Sequence, residues 1–456
     1  MALSIKPYIE NKERIHLIGI GGVSMNSLGE LLLSKGVPVS GSDRLRTDVT
    51  ARLEALGAKI TYEHKPENVE GAALIVRTAA VHDENPEIVR AHKLGIPVME
   101  RAEAWGHIMR DYDNVVCLSG THGKTTSTSM MTMMTMEAQM DPTVMVGSNL
   151  PAIGGTLRIG GKSCFVAESC EYTNSFLRFA PTISVILNVE EDHLDFFRDI
   201  NDIIHSFHEF AELTPMNGLI VANHDDPNAM RAVAHIDRRI RTFGVTPDAD
   251  VYPTEVRDEN GYYRFTVNID GREYAKVSLS VPGRHNMLNA LACCAAAEFL
   301  GVSGEAAEKG LNKFTGSSRR FQLVGKMPNG ATVVDDYAHH PSEMKATLAT
   351  AKEMHFDRII CAFQPHTYTR TKALFPEFVD ALKQCDQAVL APIYAAREQN
   401  TIGIYSSDIA KKVPGAVSFD SFDEIADYIR ANAGPNDLVL TMGAGNINTV
   451  GPMLIK

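Results

Sequence analysis

Val115-Val-Cys-Leu-Ser-Gly-Thr-His-Gly-Lys-Thr-Thr126 is the stretch from which the rest of the chain is read. An apolar run, 115–118, leads into a glycine loop, and a Met-rich helical pattern follows from 127 to about 140. Strand, loop and helix in that order make a phosphate site. Successive backbone N–H groups and the helix N-terminus face an anion, Lys124 adds a point charge, and the Thr125 hydroxyl can hold Mg²⁺. The long motif G-x-x-x-x-G-K-[ST] would need glycine at 118, where Leu118 stands, so the loop is the shorter G-x-x-G-K-T. Gly120, Thr121, His122, Gly123, Lys124, Thr125 and Thr126 are therefore the candidates for holding a nucleotide's phosphates.

Outward from the loop, 456 residues are too many for one core, and about three domains is the natural division. Net charge is −12, with no basic run, so the counterion-release footprint of a nucleic-acid binder is missing. The seven cysteines show no metal-ligand spacing and read as buried reduced thiols of a cytoplasmic protein. No stretch has the length or apolarity for membrane insertion, and monomer or homodimer is left open.

Before the loop, the strand pattern 14–20 runs into Gly19-Ile-Gly-Gly-Val-Ser24, then an amphipathic helix from 25 to about 35 and a second strand ending at Asp43. This βαβ unit approximates a dinucleotide fingerprint, with Gly21 and Gly22 at the turn and Asp43 near the ribose-reading position. Ser24 stands in place of the third glycine. Strands and helices go on alternating to about residue 110, a small doubly wound domain. Alone it would suit a nicotinamide dehydrogenase, but such an enzyme has no use for a Lys-Thr loop. His16, His64, His82, His92 and His107 form no motif and read as structural or solvated.

After the loop come short β-rich runs with polar ends, one closing on Glu168 and another running into Glu-Asp-His193. Parallel strands place such ends on one rim, where a carboxylate, an imidazole and Thr125 could share Mg²⁺. Residues 251–269 alternate like an antiparallel hairpin around Asn260-Gly261. His285 and Asn286 open an Ala-rich helix, and 315–321 reads as an interdomain linker. The last third is a further doubly wound unit, with polar clusters after its strands: Asp335-Asp-Tyr-Ala-His-His-Pro341, then Gln364-Pro-His-Thr-Tyr-Thr-Arg370.

Taken in order, these motifs resemble the Mur ligase family, ATP-dependent amide-bond-forming enzymes of peptidoglycan precursor synthesis, over nearly the whole chain. The resemblance implies three α/β domains. These are an N-terminal Rossmann-like UDP-sugar domain (1–112), a central P-loop ATPase-type domain with added antiparallel strands (113–321), and a C-terminal Rossmann-like domain for amino acid and ATP (322–456). It also implies that ATP phosphorylates a carboxylate of the UDP-sugar and that an amine then attacks the acyl phosphate. Lys124 would hold β/γ-phosphate oxygens, Thr125 and Glu168 a first Mg²⁺, and His193 a second. Asn286 and Asp336 would meet the adenosine, with His285 and His339 nearby. His366 and Arg370 would face the amino acid and the acyl phosphate.

Branches acting later in the pathway carry a modified lysine after the Glu-Asp-His motif. Here no lysine occurs between Lys162 and Lys276. The resemblance is therefore to the alanine-adding branch, with UDP-N-acetylmuramate and L-alanine as substrates. Thr367 stands where that branch often has Arg, one cation fewer for the amino-acid carboxylate. The alternatives are a recycling ligase that adds a tripeptide to the same UDP-sugar, and an inactive nucleotide-sugar-binding homologue.

Overall fold

A computed structural model describes residues 3–194, 196–396 and 398–456. The chain divides into two compact units: 1–252 with 267–275 and 290–310, and 253–266 with 276–289 and 311–456.

The first sheet is formed by β1 (Ile15–Ile18), β2 (Val39–Ser42), β3 (Lys59–Thr61), β4 (Leu74–Arg77) and β5 (Val98–Glu100), in the order β3-β2-β1-β4-β5. All its pairings are parallel. β1, β2 and most of β4 are buried on both faces, so they read as continuous apolar or small-residue runs rather than as alternation. The strand order reverses at β1, and the glycine turn at 19–22 follows that strand, where open α/β sheets bind ligands.

The second sheet holds β6 (Asn114–Ser119), β7 (Thr143–Leu150), β8 (Gly155–Arg158), β9 (Cys164–Glu168), β10 (Ile183–Ile186), β11 (Leu219–Asn223), β12 (Ile240–Phe243), β13 (Val251–Glu259), β14 (Tyr262–Ile269) and β15 (Arg272–Ser278). Its order is β15-β14-β13-β12-β11-β10-β6-β9-β7-β8. β6 lies between β9 and β10, parallel to both, with Leu118 level with Glu168 and Val185. That register brings the glycine loop, Glu168 and the segment after β10 to one edge. In the first unit one apolar core runs from Leu17 and Trp105 to Phe165, Phe176 and Phe210.

The third sheet comprises β16 (Gln322–Lys326), β17 (Thr332–Asp336), β18 (Ile359–Phe363), β19 (Gln387–Leu390), β20 (Val417–Ser418) and β21 (Leu438–Met442), in the order β16-β17-β21-β18-β19-β20. Asp336, Met442 and Phe363 are level across β17, β21 and β18, so the segments following all three strands share a rim. β16 is antiparallel to β17, because the short turn at 327–331 leaves no room for a crossover. The α/β reading of three sheets therefore holds, with that antiparallel edge as an addition.

The segment 315–321 is not a free linker. Arg319 bonds Asp335 at 3.0 Å and the carbonyls of Gly443 and Gly445 at 2.5 and 3.0 Å, and the Phe321 N–H donates to Asp336. Among the described residues no helix is long and apolar enough to cross a membrane.

Candidate active site

The glycine loop is shaped by two residues at positive φ, Gly120 at +144° and Gly123 at +84°. A Cβ on Gly120 would lie 2.9 Å from the Leu187 Cβ, so both backbone angle and space demand glycine there. Gly123 is the N-cap of the helix Lys124–Glu137. That helix is buried on most sides despite its hydroxyls, because Thr128, Ser129, Thr132 and Thr135 each bond the carbonyl four residues back.

Asn188, which no sequence pattern singles out, braces the loop from the segment just after β10. Its Oδ1 accepts the His122 N–H at 2.7 Å, and its Nδ2 donates to the His122 carbonyl at 3.1 Å. The Thr121 hydroxyl accepts the Glu190 N–H at 2.9 Å, and the His122 ring lies 3.3 Å from the Glu190 carboxylate.

Lys124 folds back over its own loop. Its ammonium bonds the Gly120 and Thr121 carbonyls at 2.5 and 3.0 Å and both carboxylate oxygens of Glu171 at 3.2 and 3.0 Å. Burial alone would push this ammonium's pKa down, but the charges led by Glu171 outweigh it and hold the value above the ordinary lysine range. The lysine is therefore charged. Glu171 is 2% exposed and was missed by the sequence reading, since three residues past a strand end it matches no spacing rule.

Thr125 and Glu168 come together as expected: the hydroxyl donates to the carboxylate at 3.0 Å. The second Glu168 oxygen accepts the Gly147 N–H at 2.6 Å, and a Cβ on Gly147 would sit well inside van der Waals distance of that carboxylate. These hard oxygen donors beside a phosphate loop fit Mg²⁺. His193 stands at φ +54°, its ring stacked on Tyr172 with centroids 4.4 Å apart. Its Nε2 is 3.9 Å from Glu171 and 3.7 Å from Asp192, outside hydrogen-bond length to either. Glu171 is thus the carboxylate that bonds Lys124, and it stands 3.9 Å from the His193 ring. Cys170 stands at the surface, but burial pushes its thiol pKa up to about 11, and its sulfur lies among the atoms of Glu171 and His193.

At the first sheet, Asp43 Oδ2 accepts the Gly21 N–H at 2.8 Å, and a Cβ on Gly21 would crowd that carboxylate at 2.9 Å. Gly22 caps the helix Val23–Ser34 in extended geometry. Ser24 serves structure, its carbonyl accepting the Trp105 indole at 3.2 Å. His16 and His64 flank a fully buried carboxylate, Glu87, at 3.6 and 3.0 Å, with Ser42 at 2.7 Å and Asn68 at 2.5 Å. Burial raises the Glu87 pKa, but these four side chains overcome it and bring the value to about 2.

In the second unit, Asn286 is buried and bonds the Pro282 carbonyl at 2.7 Å, while His285 beside it is exposed. Asp336 accepts the N–H groups of Phe321 and Ala338 at 2.8 and 2.7 Å; burial nevertheless raises its pKa to about 6 against the pull of Arg320 and those donors. His339 and His366 meet edge to face at 5.8 Å, and Tyr394 stacks on His366 at 5.5 Å. The His366 Nδ1 is buried with no hydrogen-bond partner among the described residues, and burial followed by Arg370 lowers its pKa. Thr367 sits at φ +63° and caps the helix Tyr368–Ala373, accepting the Arg370 N–H at 3.4 Å. Glu398 accepts the N–H groups of Tyr368 and Thr369 at 2.6 and 2.9 Å, a contact across thirty residues that no local pattern announces.

Family models match the chain in three consecutive stretches: "Mur ligase family, catalytic domain" at 14–113, "Mur ligase middle domain" at 118–297, and "Mur ligase, glutamate ligase domain" at 319–445. The UDP-N-acetylmuramate–L-alanine ligase of Acetivibrio thermocellus is 46% identical, over 97% of this chain and 96% of its own length. That of Agathobacter rectalis is 47% identical, over 97% of each. The crystal structure of the UDP-N-acetylmuramate–alanine ligase of Thermotoga maritima superposes with a TM-score of 0.82 at 28% identity, covering 97% of this chain and 98% of that one. With the loop, the strand-end acids and the C-terminal motifs all in this order, the chain belongs to the Mur ligase family.

Proposed function

We infer that this chain joins L-alanine to the lactyl carboxylate of UDP-N-acetylmuramate at the expense of ATP, releasing ADP and phosphate. The observation that carries the reading is the full-length identity of 46–47% to ligases of that name, on a chain that keeps Lys124, Thr125, Glu168 and His193. We propose residues 1–112 for the UDP-sugar, 113–321 for ATP, and 322–456 for amino acid and nucleotide, in a cytoplasmic enzyme.

A lactyl carboxylate oxygen attacks the γ-phosphorus and ADP leaves. The amine of L-alanine then attacks the acyl carbon, the C–O bond to phosphate breaks, and the amine gives up a proton. Most of the acceleration in such chemistry is positioning and charge neutralisation. Lys124 is held charged and aimed into the loop by Glu171, and on nucleotide binding it exchanges carbonyl and carboxylate partners for phosphate oxygens. Backbone N–H groups of 120–126 cradle the phosphates, kept in shape by Asn188. Thr125 and Glu168, with His193, would hold Mg²⁺, which when bound neutralises phosphate charge. Asn286, Asp336, His285 and His339 are assigned to the adenosine side. Arg370 faces the anionic acyl phosphate, and His366, whose pKa burial lowers, faces the amino acid. Gly21, Gly22 and Asp43 serve the UDP-sugar.

The test is phosphate release from ATP with UDP-N-acetylmuramate and amino acids supplied separately and together. Release only with both present, L-alanine best, supports the reading; preference for a tripeptide would replace it with the recycling activity.

A further inference from the structure

Three side chains of different chemistry converge beside the phosphate loop. The Cys170 sulfur, a Glu171 carboxylate oxygen and a His193 ring nitrogen all lie within 4.8 Å of one another. Thiolate, imidazole and carboxylate are the donor types of zinc sites, whereas Mg²⁺ has no use for sulfur. Two members are fixed in place. Glu171 is almost fully buried and anchored by Lys124, and the His193 ring is pinned by Tyr172. The His193 Nε2 lies between Glu171 and Asp192 at 3.9 and 3.7 Å, without a hydrogen bond of normal length to either. Cys170 and His193 are partly exposed, so a cation can approach from solvent.

We propose that Cys170, Glu171 and His193 form a binding site for a soft divalent cation of the Zn²⁺ type, which shares His193 with the Mg²⁺ set of Thr125 and Glu168 and adds a thiolate that Mg²⁺ does not use. Binding replaces the thiol proton: Cys–SH and Zn²⁺ give Cys–S–Zn⁺ and one H⁺. Glu171 can serve the cation through one oxygen while Lys124 keeps the other. An occupied site ties Glu171 and His193 to the cation and so hinders the partner exchange of Lys124. This inhibition rests on the proposed ligase function; the binding does not.

The experiment uses the full-length protein without nucleotide. Zn²⁺ is titrated against a chromophoric chelator, and Cd²⁺ is added separately to observe the thiolate-to-metal charge-transfer band. One Zn²⁺ per chain is expected, with a Cd–thiolate band and proton release. Cys170→Ser should abolish the band and weaken Zn²⁺ at least about tenfold, since loss of a mere supporting partner already costs about 10–100-fold. Cys385→Ser, at a half-buried thiol elsewhere, should change neither. An unchanged melting temperature in Cys170→Ser separates ligand loss from misfolding. Absence of stoichiometric Zn²⁺ binding to the wild type, or binding undiminished in Cys170→Ser, overturns the site. In turnover assays with Mg²⁺ and ATP, Zn²⁺ should inhibit the wild type and spare Cys170→Ser. Equal inhibition of both, with binding at Cys170 established, would overturn the inhibitory role alone.

Discussion

The phosphate loop of the first unit and the His366–Arg370 segment of the second are both built from residues after parallel strands, yet they meet their polar requirements in opposite ways. Around the loop the lysine and the oxygen donors are already engaged: Lys124 with Glu171, Thr125 with Glu168, Glu168 with Gly147. In the second unit the His366 Nδ1 is buried without a hydrogen-bond partner among the described residues, and Thr367 holds a backbone angle that a β-branched residue rarely adopts. The loop is a set of contacts to be exchanged on binding; the other segment is an unmet requirement that ligand can satisfy. Buried polar groups lacking partners and positive φ at non-glycine residues both mark places where structure yields to function.

The largest effect that would break this comparison is at the loop. Lys124→Ala should lower kcat by about a thousandfold, in line with removal of a charge stabiliser at the reacting group, while UDP-sugar affinity stays within about twofold. Near-wild-type turnover would remove the loop lysine from the mechanism. Gly147→Ala comes next. The added methyl must displace the Glu168 carboxylate, and a loss of about a hundredfold in activity is expected with little change in melting temperature. If turnover survives, Glu168 need not stay where Gly147 holds it.

Thr367→Arg tests the second unit. The substitution removes the cap on Arg370 and places a larger side chain at φ +63°. Cap loss, of order 1 kcal/mol, opposes the added cation, so KM for L-alanine should move by about fivefold or more, downward where the guanidinium reaches the carboxylate and upward where the loosened helix start dominates. An unchanged KM would mean that position 367 has no bearing on the amino acid.

Much of this was legible in sequence because local rules carry it. The loop, Glu168, and the clusters at 335–341 and 364–370 follow strands, and parallel sheets expose strand ends on one rim. Glu171, Asn188, Gly147 and Glu398 were not legible. Each acts through a partner distant in sequence, fixed by the register of β6 with β9 and β10, by that of β7 with β9, or by packing after β18 and β19. The segment 315–321 misled for the same reason: Gly and Ser suggest a linker, and only the fold reveals what Arg319 grips.

Two buried carboxylates give the smallest, most graded effect. Glu87 has its folded pKa lowered from 4.5 to about 2, so its contribution to stability is complete above 4.5 and is lost as pH falls toward 2. Asp336 is raised from 3.8 to about 6, so protonation favours the folded state as pH falls from 6 toward 4. Melting temperature against pH should therefore steepen downward below about 4.5, and Glu87→Gln should flatten that limb. An unchanged limb would remove Glu87 as its source.

The most direct test of the central claim follows one oxygen atom. UDP-N-acetylmuramate labelled with oxygen-18 in its lactyl carboxylate is turned over with ATP and L-alanine, and the released phosphate is analysed by mass. An acyl-phosphate route transfers one labelled oxygen to each phosphate, since the C–O bond to the original carboxylate breaks when the amine attacks. Phosphate free of label, formed at the same rate as product, would contradict the account.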